Sequence, residues 1–133
     1  MFRRPKKLTL LDSVTADGWS SGISVTDYSD ILITIGTSNS ADGDIKVGLS
    51  ELESANVDFT SAASETNRWD YCALWNQNNR TTIIAGDTGV QYTGTDSVER
   101  ILVNTKGATT LSVELDNYVA GNFTVTMFAI TNQ

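Results

Sequence analysis

The sequence predicts an all-β fold: one antiparallel β-sandwich, jelly-roll-like, carrying a short basic N-terminal arm. Three observations predict it. Apolar and polar residues alternate with period two along most of the chain. Turn-forming residues interrupt that alternation roughly every ten residues, as in sandwiches and barrels. The single proline, Pro5, lies near the N-terminus, so every later strand can donate a full ladder of hydrogen bonds. The length of 133 residues suits a single core. Residues 1–7 are expected to form the arm and residues 8–133 the sandwich.

The elements follow in order. Leu8 and Leu10 alternate after the arm. Ile31, Ile33 and Ile35 share one face, with Leu32 and Thr34 opposite. Asp42-Gly43-Asp44 reads as a turn, and Ile45, Val47 and Leu49 form the next set. The segment 49–63 reads as an irregular loop. Trp69, Tyr71, Ala73 and Trp75 make an aromatic face. Residues 81–85 and 98–103 are β-branched runs. Leu111, Val113 and Leu115 alternate, Gly121-Asn122 reads as a turn, and Phe123, Val125 and Met127 lead into Phe128-Ala129-Ile130. Eight or nine strands are expected. No Cys…Trp…Cys spacing is present, which disfavours an immunoglobulin-like arrangement.

Composition narrows the function. Ser and Thr make up about a quarter of the chain and charged residues only 19%, which gives a neutral polar surface. There is no histidine, hence no histidine base, metal ligand or pH switch. The one cysteine, Cys72, cannot form an internal disulfide and reads as a small buried hydrophobe. The net charge is −7, yet Arg3, Arg4, Lys6 and Lys7 crowd the N-terminus. An acidic body of this kind repels nucleic acid. The basic arm could clamp an acidic protein surface, and about seven extended residues reach on the order of 20 Å. The apolar run after the arm is too short for a signal peptide, and no run approaches membrane-spanning length. The chain is expected to be soluble, made in a cytoplasm and without membrane or nucleic-acid partners.

Four motifs invite chemistry. Asp87-Thr88-Gly89 is the triplet of aspartic proteases, but a small glycine-bracketed turn explains it, and its flanks lack the protease pattern. Asp42, Asp44, Asp87, Asp96 and Asp116 carry hard oxygens suited to Ca²⁺, without EF-hand spacing, and read as turn formers. Trp75, followed by Asn76, Gln77, Asn78 and Asn79, joins an aromatic to amide side chains, the combination that binds sugar hydroxyls; Trp19 is the second aromatic candidate. Asn79-Arg80-Thr81 and Asn122-Phe123-Thr124 match glycosylation sequons, which need a secretory route to matter. No catalytic residue, cofactor or metal site is expected.

Several of these motifs recur as a pattern: Asp58-Phe59-Thr60-Ser61-Ala62, Trp69-Asp70-Tyr71, Gly86-Asp87-Thr88-Gly89, Thr93-Gly94-Thr95-Asp96, Val103-Asn104 and Ala120-Gly121-Asn122-Phe123-Thr124-Val125. In order and spacing they resemble a group of small all-β virion proteins of tailed bacteriophages. The resemblance spans about two-thirds of the chain. It implies a non-enzymatic structural protein of the virion: a capsid decoration or cement protein on the head exterior, commonly a homotrimer bound to the major capsid protein, or else a receptor-binding module of a head or tail fibre. It brings no catalytic residues.

Overall fold

The computed structural model describes residues 5–130, apart from the side chain of Arg80. It contains ten strands and one short 3-10 turn at Ser54–Asn56. The strands are β1 (Pro5–Val14), β2 (Gly18–Trp19), β3 (Ile23–Ser24), β4 (Asp30–Ser50), β5 (Asp70–Tyr71), β6 (Leu74–Asn76), β7 (Asn79–Ile84), β8 (Val90–Thr93), β9 (Val98–Asn104) and β10 (Thr110–Ile130). Among the described residues no helix is long and apolar enough to cross a membrane.

Two strands of 21 residues, β4 and β10, organise everything else. They pair antiparallel along their length, with the register broken between Asp116 and Asn122. That break divides the sheet. In the first half the order is β1-β10-β4-β9-β6-β7. In the second half, β2 and β3 pair with β10 while β5 and β8 pair with β4. Alternate residues point to opposite faces of a strand. Ile31, Ile33, Ile35, Val125 and Met127 from the first half therefore meet Ile45, Val47, Leu111 and Val113 from the second in one buried core.

The all-β, sandwich-like layering predicted from the sequence is thus present. Its strands are not divided between two separate sheets, as in a jelly roll, because β4 and β10 run through both halves. Two expected turns are also absent. Asp42-Gly43-Asp44 lies inside β4, paired with Thr93, Tyr92 and Gln91 of β8. Gly121-Asn122 lies inside β10. The glycines serve close packing at the bend. A Cβ on Gly43 would stand 3.1 Å from Leu115 Cδ1 and 3.2 Å from Phe123 Cζ. Gly121 has φ +85°, and a Cβ there would lie 2.7 Å from Ser38 O and 2.8 Å from Ala41 N. Asn39 and Ser40 (φ +59° and +57°) turn the facing strand at the same level.

The aromatic stretch expected as one strand is split. Asp70 and Tyr71 pair with Leu49 and Gly48 in the second half, whereas Trp75 and Asn76 pair with Leu102 and Ile101 in the first. The basic segment expected as an arm over residues 1–7 joins the sheet from Pro5 on: Pro5, Lys6 and Lys7 pair with Ile130, Ala129 and Phe128. Arg3 and Arg4 lie outside the described residues.

Candidate functional site

The two halves of the sheet differ in how the chain treats their outer faces. In the second half the outer row carries Lys46, Gly48 and Ser50 on β4 beside Thr110, Ser112 and Glu114 on β10. The chain covers this row itself. Trp19 from β2, Phe59 and Trp69 from the 51–69 loop, and Tyr71 from β5 form a packed aromatic lid. Trp19 stacks on Tyr71 at 5.9 Å and 17°, and Trp69 meets Tyr71 edge-on at 5.1 Å. Gly48 is what lets the lid close, since a Cβ there would fall 2.9 Å from both Phe59 Cδ1 and Trp19 Cζ3. The Asn67 amide ties the loop together, donating to Asp58 O (2.8 Å) and Ala62 O (3.2 Å) and accepting from Asp58 N (2.7 Å). Trp69 Nε1 donates to Ser61 O at 3.0 Å.

Beneath the lid is a small polar network. Lys46 Nζ donates to Asp116 Oδ2 at 2.8 Å and lies 5.3 Å from the Tyr71 ring centroid. Tyr71 Oη donates to Glu114 Oε1 at 2.7 Å. Burial pushes the Glu114 carboxyl up, aided by the charge of Asp116. The hydrogen bond from Lys46 holds Asp116 down. Burial opposes the Lys46 charge, but the bond to Asp116 and the charges of Asp116, Glu114 and Asp44 outweigh it, so its affinity for the proton rises. Burial and the bond to Glu114 raise the Tyr71 phenol. These groups satisfy one another, so the network anchors the lid. Between the lid and the 20–22 segment is a cavity of about 250 Å³, lined by Trp19, Ser20, Gly22, Ser54, Asp58 and Phe59. Trp19, the second aromatic candidate from the sequence, is thereby committed to packing.

The leading aromatic candidate behaves differently. Trp75 is half-buried on the outer face of the first half, in a groove of about 300 Å³ with Asp30, Leu102 and Asn104. Asn76 and Asn78 line a separate groove of about 580 Å³ with Glu99 and Arg100. Asn76 Oδ1 accepts from Asn78 N (2.8 Å), and Asn79 Oδ1 accepts from Thr81 Oγ1 (2.6 Å). The amides thus shape the β6–β7 turn, and alternation sends Trp75 and Asn76 to opposite faces. Trp75, Asn76, Asn78 and Asn79 do not converge on one site.

The remaining motifs are accounted for locally. Asp87 is exposed on a turn closed by Gly89 N donating to Ala85 O at 2.9 Å. Asp96 accepts from Ser40 N and Asp44 from Asn117 Nδ2, and among the described residues no three metal-ligating side chains cluster. Cys72 packs against the core, and burial pushes its thiol up to about 11. Lys6 and Lys7 are exposed on the edge strand β1, on opposite faces.

One surface has no counterpart in the motif reading. On the outer face of the first half the register aligns Phe128, Leu32, Leu102, Trp75 and Ile83 in a single row across five strands. Ile83 is 62% exposed and Phe128 42%. Val98 and Ile130 stand on the same face, so four of the five exposed large hydrophobics, Val119 being the other, share it. The sequence did carry a signal: residues 31–33, 101–103 and 127–130 are apolar on both faces of their strands, the mark of a sheet covered on both sides.

The comparisons with known proteins come to this chain through its fold. No family model matches the chain, and no curated protein matches it. Among solved structures, the crystal structure of SPBc2 prophage-derived protein YomS is similar, with a TM-score of 0.69 and 13% identity over 98% of this chain and 96% of that one. The two chains share an all-β architecture along almost their whole lengths.

Proposed function

We propose that this chain is a non-enzymatic structural protein of a tailed-phage virion, a capsid decoration (cement) protein that binds the outer surface of the head and stabilises it. The observation that carries the reading is the end-to-end fold likeness to a prophage-derived protein, which adds to the pattern resemblance in the sequence. Two physical features support it. Long strands running through both halves suit a body that bears load on a lattice. The acidic body with a basic N-terminal end suits docking on an acidic capsomer surface, where high local copy number lets weak contacts add. Arg3, Arg4, Lys6 and Lys7 would make that contact, with the major capsid protein as partner and a homotrimer as the bound form. The protein would be made in the host cytoplasm and end on the capsid exterior.

The test is co-sedimentation with heads of the phage that encodes it, prepared without this protein. Wild type is expected to bind at saturable stoichiometry and to raise the heat resistance of the heads. Lys6→Glu with Lys7→Glu should weaken binding while leaving the fold intact. Heads that neither bind the protein nor gain resistance would refute the reading.

A second reading, a glycan- or receptor-binding module of a fibre, draws on the groove of Trp75, Asp30 and Asn104, which joins an aromatic face to polar groups. Trp75→Ala should then abolish glycan binding without unfolding, and a blank glycan array would remove this alternative.

A further inference from the structure

We infer that the outer face of the first half is a self-association surface, on which a second copy of this chain packs face to face about a two-fold axis lying along the apolar row. The inference is independent of the decoration role. It starts from a contrast within one molecule. The outer face of the second half is polar in its central strands and lies under an aromatic lid, whereas the outer face of the first half is apolar in its central strands and has no such cover among the described residues. The chain covers the second half with Trp19, Phe59, Trp69 and Tyr71, and leaves Phe128, Leu32, Leu102, Trp75 and Ile83 open on the first. Contiguous apolar surface of this kind marks an interaction site.

Charge placement selects the occupant. Asp30 and Arg100 are exposed and stand on opposite sides of the row. Asp30 is two residues from Leu32 on β4, and Arg100 two residues from Leu102 on β9, displaced in opposite directions because the strands are antiparallel. The ion pairs among the described residues are Lys46–Asp116 and Arg68–Glu51, and neither Asp30 nor Arg100 takes part in one there. A two-fold along the row lays apolar row on apolar row. It also brings Asp30 to the partner's Arg100, and Arg100 to the partner's Asp30, offset by about one strand spacing of 4.8 Å across the roughly 10 Å gap between packed sheets. The face is complementary to itself, as an isologous interface requires. Thr34 and Thr126, on the Arg100 side, add neutral contacts. The two Lys7 side chains would meet at the rim, where water screens them.

The footprint is about 20 Å square from strand spacing and rise. At about 400 Å² on each partner that falls below the standard range of specific interfaces and in the weak, transient regime, so a dissociation constant of about 10–100 μM is expected. This two-fold pairing is a separate contact from any trimer formed on a head.

Sedimentation velocity from about 1 to 500 μM tests it, a range that brackets that affinity. Wild type should show a monomer–dimer equilibrium. Asp30→Arg or Arg100→Asp alone sets like charges against each other twice and should weaken dimerisation about tenfold or more. The double variant Asp30→Arg/Arg100→Asp should return to within about threefold of wild type, since the swap restores both pairs. Phe128→Lys should leave only monomer. All three positions are exposed, so the core is untouched, and circular dichroism melting confirms the fold of each variant. A wild type that stays monomeric, single variants that dimerise normally, or a double variant that is not rescued would each overturn the proposal. So would a monomeric wild type whose binding to heads is lost with Phe128→Lys, because the face would then belong to another protein.

Discussion

Gly121→Ala probes the bend on which both halves of the sheet depend. Two effects act there and can be separated. The first is backbone: Gly121 has φ +85°, and an alanine forced into that region costs about 1 kcal/mol. The second is space. The new Cβ would lie 2.7 Å from Ser38 O and 2.8 Å from Ala41 N. These are backbone atoms of β4 and cannot rotate away, so the strands must part at the bend, an overpacking cost of about 1–3 kcal/mol. The sum is about 3 kcal/mol. Gly94 supplies the control, with φ +83° and nothing within 4 Å of a built Cβ, so Gly94→Ala should cost only the backbone term of about 1 kcal/mol. At about 2.1 cal/mol/K per residue, unfolding this chain carries about 0.28 kcal/mol/K, so 1 kcal/mol moves the melting temperature by about 3–4 °C. Calorimetry should therefore show a drop of about 10 °C for Gly121→Ala and about 3–4 °C for Gly94→Ala. Equal drops for the two variants would refute the close approach of β10 to β4.

Two further predictions concern the covered half. Gly48→Val should displace the aromatic lid, shift tryptophan emission to the red through Trp19 and Trp69, and cost about 2 kcal/mol; unchanged emission would mean the lid does not rest on Gly48. The polar network should make stability depend on pH in two opposing ways. Asp116 is held below the usual carboxylate range, so its contribution is present above that range and lost as pH falls through its folded value. Glu114 is raised, so the folded protein binds its proton more tightly, and stability grows as pH falls toward the ordinary carboxylate value. Urea midpoints between about pH 3 and pH 7 should rise slightly and then fall; Glu114→Gln should remove the rise and Asp116→Asn should reduce the fall.

Legibility of the fold from sequence followed the range of the interaction. Ile31, Ile33 and Ile35, or Leu111, Val113 and Leu115, declare a strand because alternation is a property of neighbours in the chain. Cys72 as a packed side chain and Asp87-Thr88-Gly89 as a turn were legible for the same reason. Trp75 and the amides of Asn76, Asn78 and Asn79 do not converge although they are neighbours in sequence, because the pleat sends Trp75 and Asn76 to opposite faces. That Lys6 and Lys7 join the sheet is not legible locally, because their partners, Ala129 and Phe128, lie at the far end of the chain.

The sequence by itself determined the β class, the strand cores and the acidic body with its basic N-terminal end, all set by local pattern and composition. Only the tertiary structure decided that Asp42-Gly43-Asp44 and Gly121-Asn122 lie within strands. β8 gives Asp42-Gly43-Asp44 a continuous ladder, and Gly121-Asn122 bends β10 at its register break with β4 without ending the strand. Tertiary register likewise brought Phe128, Leu32, Leu102, Trp75 and Ile83 into one row from five strands, and placed Asp30 and Arg100 on either side of it; local pattern marks several of these segments as apolar on both faces but does not align them.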